Sequence, residues 1–145
     1  IVNILTNHAV NNNQIKVFGG DQKRPNIHID DVTDLYIKSL EWSDESIDGN
    51  IFNAGYDNQT VAEIAQSVRR QVGEHVGVVT TPTDDPRSYH ISSEKIQREL
   101  GFVPRKSTED GVRDLVSAFK TGKIPDPMNA IRYYNIKQMQ ALKLK

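Results

Sequence analysis

Apolar residues recur at helical spacing in four stretches of this chain, with short β-branched runs between them. Ile1, Ile4, Leu5 and Ala9 share one face of an opening helix. Asp30 is a good N-cap for a second helix, which carries Val32, Leu35, Tyr36, Ser39 and Leu40 and ends in the turn signals at residues 43–49. Thr60 and Glu63 form a capping box ahead of the stripe Val61, Ile64, Ala65, Val68 and Val72, and Gly73 stops that helix. Ser107 and Asp110 cap a fourth helix that turns Val112, Leu115, Val116 and Phe119 inward and ends at Gly122. A shorter helix starts at Ser92 or Ser93 and closes at Gly101. Residues 15–18, 50–54 and 76–80 predict short strands. The expected class is therefore α+β, with three or four helices and scattered strands too short to form a large sheet alone. Such strands more naturally extend a sheet supplied by another segment.

Composition narrows the setting. The 145 residues fit one domain, and a net charge of −1 gives no reason to expect a nucleic acid or an anionic membrane as partner. The absence of cysteine excludes disulfides and thiolate metal sites. No run reaches the roughly 18–20 apolar residues of a membrane span, and no signal peptide opens the sequence, so cytoplasm is the default compartment. Residues 123–145 hold five Lys or Arg against one Asp. This basic tail, with some helical character, is expected to be solvated or docked on something acidic. The chain begins at Ile1 inside an amphipathic pattern, which reads as the point where an upstream segment joins.

Candidate chemistry is sparse. No glycine cluster stands at a strand–helix junction, so no dinucleotide cradle is expected; Gly19-Gly20 stands alone. His8, His28, His75 and His90 are scattered, and no metal site is assigned. No catalytic residue is assigned either, on the expectation that the segment carries no Tyr-x-x-x-Lys pair to serve as acid or base. Two arginine loops remain, residues 18–32 around Arg24 and residues 84–92 around Arg87. The planar fork of arginine suits phosphate oxygens, so two such loops can clamp a pyrophosphate. They can equally be surface arginines paired with Asp21, Asp84 or Asp85.

Four stretches, taken in order, resemble the extended short-chain dehydrogenases/reductases, the NAD(P)-dependent sugar-nucleotide epimerases and dehydratases. The run from Gly19 through Arg24, Ile27, His28 and Asp31 to Val32 resembles G-x-x-x-x-R-x-x-I-H-V-x-D-V. Asn50-Ile51-Phe52-Asn53-Ala54-Gly55 resembles that family's g-x-[FY]-N-[VI]-G strand, and Thr60 to Ala65 its [TS]-V-x-E-[IL]-A helix start. Arg87-Ser88-Tyr89, Lys95-Ile96 and Leu100-Gly101-Phe102-Val103-Pro104 resemble its R-x-Y, K-[IA] and LG[FW]-x-P elements. Ser88 replaces a residue often charged in dehydratase-like members, which leaves the subclass open.

The resemblance implies the C-terminal substrate-binding part of a Rossmann-type α/β enzyme, over residues 1–122, with 123–145 as the tail. It implies NAD or NADP in the complete enzyme, held by an N-terminal domain absent from this segment. That domain would also supply the catalytic residues, and the full enzyme would be a homodimer. Arg24 and Arg87 would bind the diphosphate of a nucleotide-diphospho-sugar. The backbone and side chains of Val17, Phe18 and Gly19 would face the base, Asn58 would reach a phosphate, and Tyr89 would pack on the base or ribose or fill the core. His28 is expected to fix a loop. Two rivals stay open: a catalytically dead binding or scaffold module of the same fold, and a small helical interaction domain.

Overall fold

The computed structural model describes residues 1–85 and 87–143. Pro86 of the second arginine loop and residues 144–145 of the tail lie outside the described residues. Helix α1 spans Val2–Asn12 and strand β1 Gln14–Phe18; β2 is Lys23–Asn26, α2 Ile29–Ser39 and α3 Asp44–Ile47. Then come β3 Asp57–Thr60, α4 Val61–Val72, β4 Gly77–Thr81, α5 Glu94–Leu100 and α6 Thr108–Lys120. A 3-10 turn at Ile131–Tyr133 leads into α7, Asn135–Ala141. The short strands do not make one sheet. β1 pairs in parallel with β4, and β2 pairs antiparallel with β3.

The core lies where α1, α4 and α6 meet one face of β1. Ile15 and Val17 point inward from the strand and Val61, Ile64, Ala65 and Val68 from α4; Leu5, Ala9, Val76 and Val112 complete the cluster. Ile96 and Phe102 are also fully buried but stand outside that cluster. The capping boxes of α4 and α6 form as predicted, with Thr60 and Ser107 accepting from the N–H groups of Glu63 and Asp110. The Ser107 hydroxyl and N–H, helped by Arg113, hold the Asp110 carboxyl down at about 2. A carboxylate with a depressed pKa stabilises fully above its unfolded value near 4, and that contribution is lost as pH falls through the folded value. Acidification between about pH 5 and 2 should therefore lower the thermal midpoint more in the wild type than in Asp110→Asn. Equal acid profiles in a melting series would refute the assignment.

Several expectations shift. The buried face of α1 is Leu5, Thr6 and Ala9, while Ile1 and Ile4 stay about half exposed. His28, not Asp30, is the N-cap of α2, its Nδ1 accepting from the Asp30 N–H at 3.1 Å. Asp31 in the first turn is buried and accepts the N–H groups of Arg105 and Lys106 at 3.0 and 2.9 Å. Residues 50–54 form no strand; among the described residues none supplies the neighbour that would pair with them. The tail folds back on α1, where Asn7 Nδ2 donates to the Pro127 carbonyl at 2.8 Å. The cleft between them is lined by Ile4, Leu115, Phe119 and Pro127 together with polar Asn3 and Arg132. No helix of the described residues is long and apolar enough to cross a membrane.

Candidate functional site

The two arginine loops, 63 positions apart in sequence, meet in space: Arg24 Nη1 donates to the Arg87 carbonyl at 2.7 Å and to the Lys23 carbonyl at 2.8 Å. β2 presents Arg24 because Pro25 keeps the backbone extended and β3 pairs with it in register. The segment after Arg87 runs beside β2. There the Tyr89 N–H donates to the Lys23 carbonyl, and the Lys23 N–H to Ser88 Oγ. Asn58 fastens the same segment from β3, its amide donating to the Ile91 carbonyl and accepting the Ile91 N–H, both at 2.9 Å. Its side chain is thus committed to holding a loop.

The Arg87 Nε and Nη2 grip both oxygens of Asp85 at 2.7 and 2.8 Å, so the ion-pair alternative is realised for this arginine. The Arg87 guanidinium holds the Asp85 carboxyl down at about 2, and Asp85 in return raises the pKa of Arg87. Arg24 takes no carboxylate partner among the described residues. Its guanidinium instead lies 5.2 Å from the centre of the Tyr89 ring. Two cations and one anion leave the cluster with a net positive charge facing solvent, a place for an anion.

Of the residues expected to face a base, Phe18 is 54% exposed while Val17 is 1% exposed. The Val17 side chain belongs to the core because strand alternation turns residues 15 and 17 inward together, so only its main chain can face a ligand. Gly19 has φ 73°, and a Cβ there would meet Gln22 Nε2 at 2.5 Å and Thr83 Cγ2 at 2.6 Å, so this tight turn requires glycine.

The described residues form no dinucleotide cradle. The Gly19-Gly20 turn leads into β2 rather than a helix, and the carbonyls of Gly20 and Gln22 already accept the first N–H groups of α4. A Tyr-x-x-x-Lys spacing, expected to be missing, does occur once, at Tyr133 and Lys137 in the tail. Its lysine lies 4.4 Å from the Tyr134 ring and its tyrosine lines the cleft against α1, apart from the arginine loops.

A cleft of about 500 Å³ lies elsewhere, between α2, α6 and the start of α1, and none of Arg24, Arg87 or Tyr89 lines it. His28, Asp30 and Asp114 converge there. Because Nδ1 of His28 accepts a backbone N–H, its Nε2 carries the proton and faces Asp114 at 3.3 Å. Lys106 sits 3.7 Å from Asp114 and pairs with Asp30, so the cation these carboxylates share is an ammonium. We place the candidate site at the arginines, whose chemistry suits an anion, and read this cleft as a satisfied polar network.

Residues 1–55 match the model of the NAD dependent epimerase/dehydratase family. The fold is similar to that of the UDP-glucose 4-epimerase of Thermotoga maritima solved with UDP-glucose, at 25% identity and TM-score 0.71 over 84% of this chain and 40% of that one. It is also similar to the dTDP-glucose 4,6-dehydratase of Bacillus anthracis in complex with NAD, at 18% identity and TM-score 0.68, covering 87% of this chain and 41% of that one. An L-threonine dehydrogenase from Phytophthora infestans shares the fold at 11% identity and TM-score 0.71, over 81% of this chain and 40% of that one. The chain thus spans about two fifths of the length of these solved structures. The family model thus covers 55 of the 145 residues, and over the rest of the chain the similarity to these enzymes is one of fold.

Proposed function

We propose that this chain is the substrate-binding portion of an NAD(P)-dependent sugar-nucleotide epimerase or dehydratase, with Arg24 and Arg87 gripping the diphosphate of a nucleotide-diphospho-sugar. The observation that carries this reading is the meeting of two arginine loops distant in sequence, with the Arg24 guanidinium bonded to the Arg87 main-chain carbonyl and free of any carboxylate among the described residues. Residues 1–122 form the binding domain and 123–145 an appended tail. The main chain at Val17 to Gly19 and the Phe18 ring face the nucleoside, Tyr89 backs Arg24, and Asn58 positions the Arg87 loop. The reading is supported by solved structures of the same fold whose ligands or names include UDP-glucose and dTDP-glucose.

In that setting NAD(P), held by a Rossmann domain outside these residues, supplies hydride exchange at the sugar. This chain supplies binding energy remote from the reacting carbon, which fixes the sugar's position. Exposed apolar side chains are available to such a domain: Leu40, just past α2, is 87% and Ile51 84% exposed, and Tyr36 and Ile37 on α2 are exposed too. The run 50–54, which pairs with no strand among the described residues, offers backbone groups for a sheet, although the Ile51 carbonyl already accepts from Lys95 Nζ at 3.2 Å. A cytoplasmic homodimer is the proposed state of the complete enzyme.

Calorimetric titration of the full natural polypeptide with UDP, dTDP, GDP, ADP and inorganic pyrophosphate tests this. Binding of pyrophosphate and tighter binding of one nucleoside diphosphate is expected. A protein that binds none of the five lacks the proposed site, and one that binds but turns over no sugar nucleotide is a scaffold module.

A further inference from the structure

We propose that Gln22 is the positioning residue of this clamp, a role that rests on the diphosphate reading. Its buried carboxamide joins the turn that would face the nucleoside to the loop that carries Arg87. The Gly20 N–H donates to Oε1 at 2.7 Å, while Nε2 donates to the Phe18 carbonyl at 3.3 Å and to the Asp85 carbonyl at 3.1 Å. The N–H can only donate and the two carbonyls can only accept, so a single orientation of the amide satisfies all three partners. Asp85 in turn holds Arg87 by two bonds, and the Arg87 carbonyl receives Arg24. A continuous chain of hydrogen bonds therefore runs from the end of β1 through Gln22 and Asp85 to both guanidinium groups. The main chain of Gln22 is fixed as well, since its carbonyl accepts the N–H of Val61 at the start of α4. Gly19 closes on the amide so tightly that a Cβ there would strike it.

This geometry makes Gln22 the spacer that sets how far the Arg87 fork stands from the Phe18 and Gly19 main chain. Gln22 itself need not touch the ligand; it acts through Asp85 and Arg87.

The test is a double-mutant cycle read by pyrophosphate titration of the full natural polypeptide at low salt. Gln22→Ala should weaken pyrophosphate about tenfold, as for losing one hydrogen bond to a charged group, and should add nothing in an Arg87→Ala background. Amide exchange at residues 87–89 should quicken in the same variant. Gln22→Glu keeps the acceptor for Gly20 but cannot donate to Phe18 or Asp85. It should weaken binding to a similar degree while preserving the glycine turn, and it carries the test if the alanine variant does not fold. Equal losses with and without Arg87 would mark Gln22 as a general structural residue and overturn its role. So would pyrophosphate affinity that Arg87→Ala reduces and both Gln22 variants leave intact, and there the diphosphate reading would survive. A wild type that binds no pyrophosphate removes the clamp and the spacer together.

Discussion

Ile64→Ala should lower the unfolding free energy by about 3–5 kcal/mol, the upper part of the range for emptying a core isoleucine site. Ile64 is 0% exposed and sits on α4, facing the cluster that α1, β1 and α6 close from the other sides. The cost of such a truncation depends on how far the walls can collapse into the space left behind. Here the walls are a paired strand and three helices, two of them fixed at their N-termini by capping boxes, so little relaxation is available. Denaturant unfolding should show a lower midpoint with an unchanged slope. A loss below about 1 kcal/mol would mean that the site relaxes and that the core is looser than its burial implies.

The double variant Arg24→Ala/Arg87→Ala should weaken nucleoside diphosphate binding by roughly a hundredfold or more, since a hydrogen bond to a charged group contributes about 1.5–3 kcal/mol. The two losses should not add fully, because Arg24 bonds to the Arg87 main chain and the residues share one network. Arg87→Lys should recover little of the affinity. A lysine keeps the charge but cannot hold both Asp85 oxygens in the fork seen here. Titrations at low and moderate salt separate a geometric clamp from simple charge attraction, which salt would screen in every variant alike. A double variant that binds within threefold of the wild type would remove both arginines from the diphosphate.

Much of the helical framework was legible because its signals are local. A capping box needs only residues three apart, and Thr60 with Glu63 and Ser107 with Asp110 form theirs as read. Gly101 stops α5 in the left-handed conformation for the same reason. The N-cap of α2 lies two positions before Asp30 because the His28 imidazole, a rarer cap than a carboxylate, accepts the Asp30 N–H. The burial of Asp31 had no local signal at all: the N–H groups it accepts lie 74 and 75 positions away. Gln22 carries no local signal either, since its bond to Asp85 spans 63 positions and a glutamine in a polar loop reads as solvated.

Where most helices start and stop, and which two arginines offer forked donors, follows from chemistry within a few residues. Tertiary packing brings the Arg24 guanidinium to the Arg87 carbonyl, seats Asp85 on Arg87 and spends Asn58 on Ile91. It also drew the Val17 side chain into the core and left residues 50–54 without a strand. Strand pairing and burial depend on what stands across the fold, so β-propensity at 50–54 finds no expression where the described residues supply no neighbouring strand.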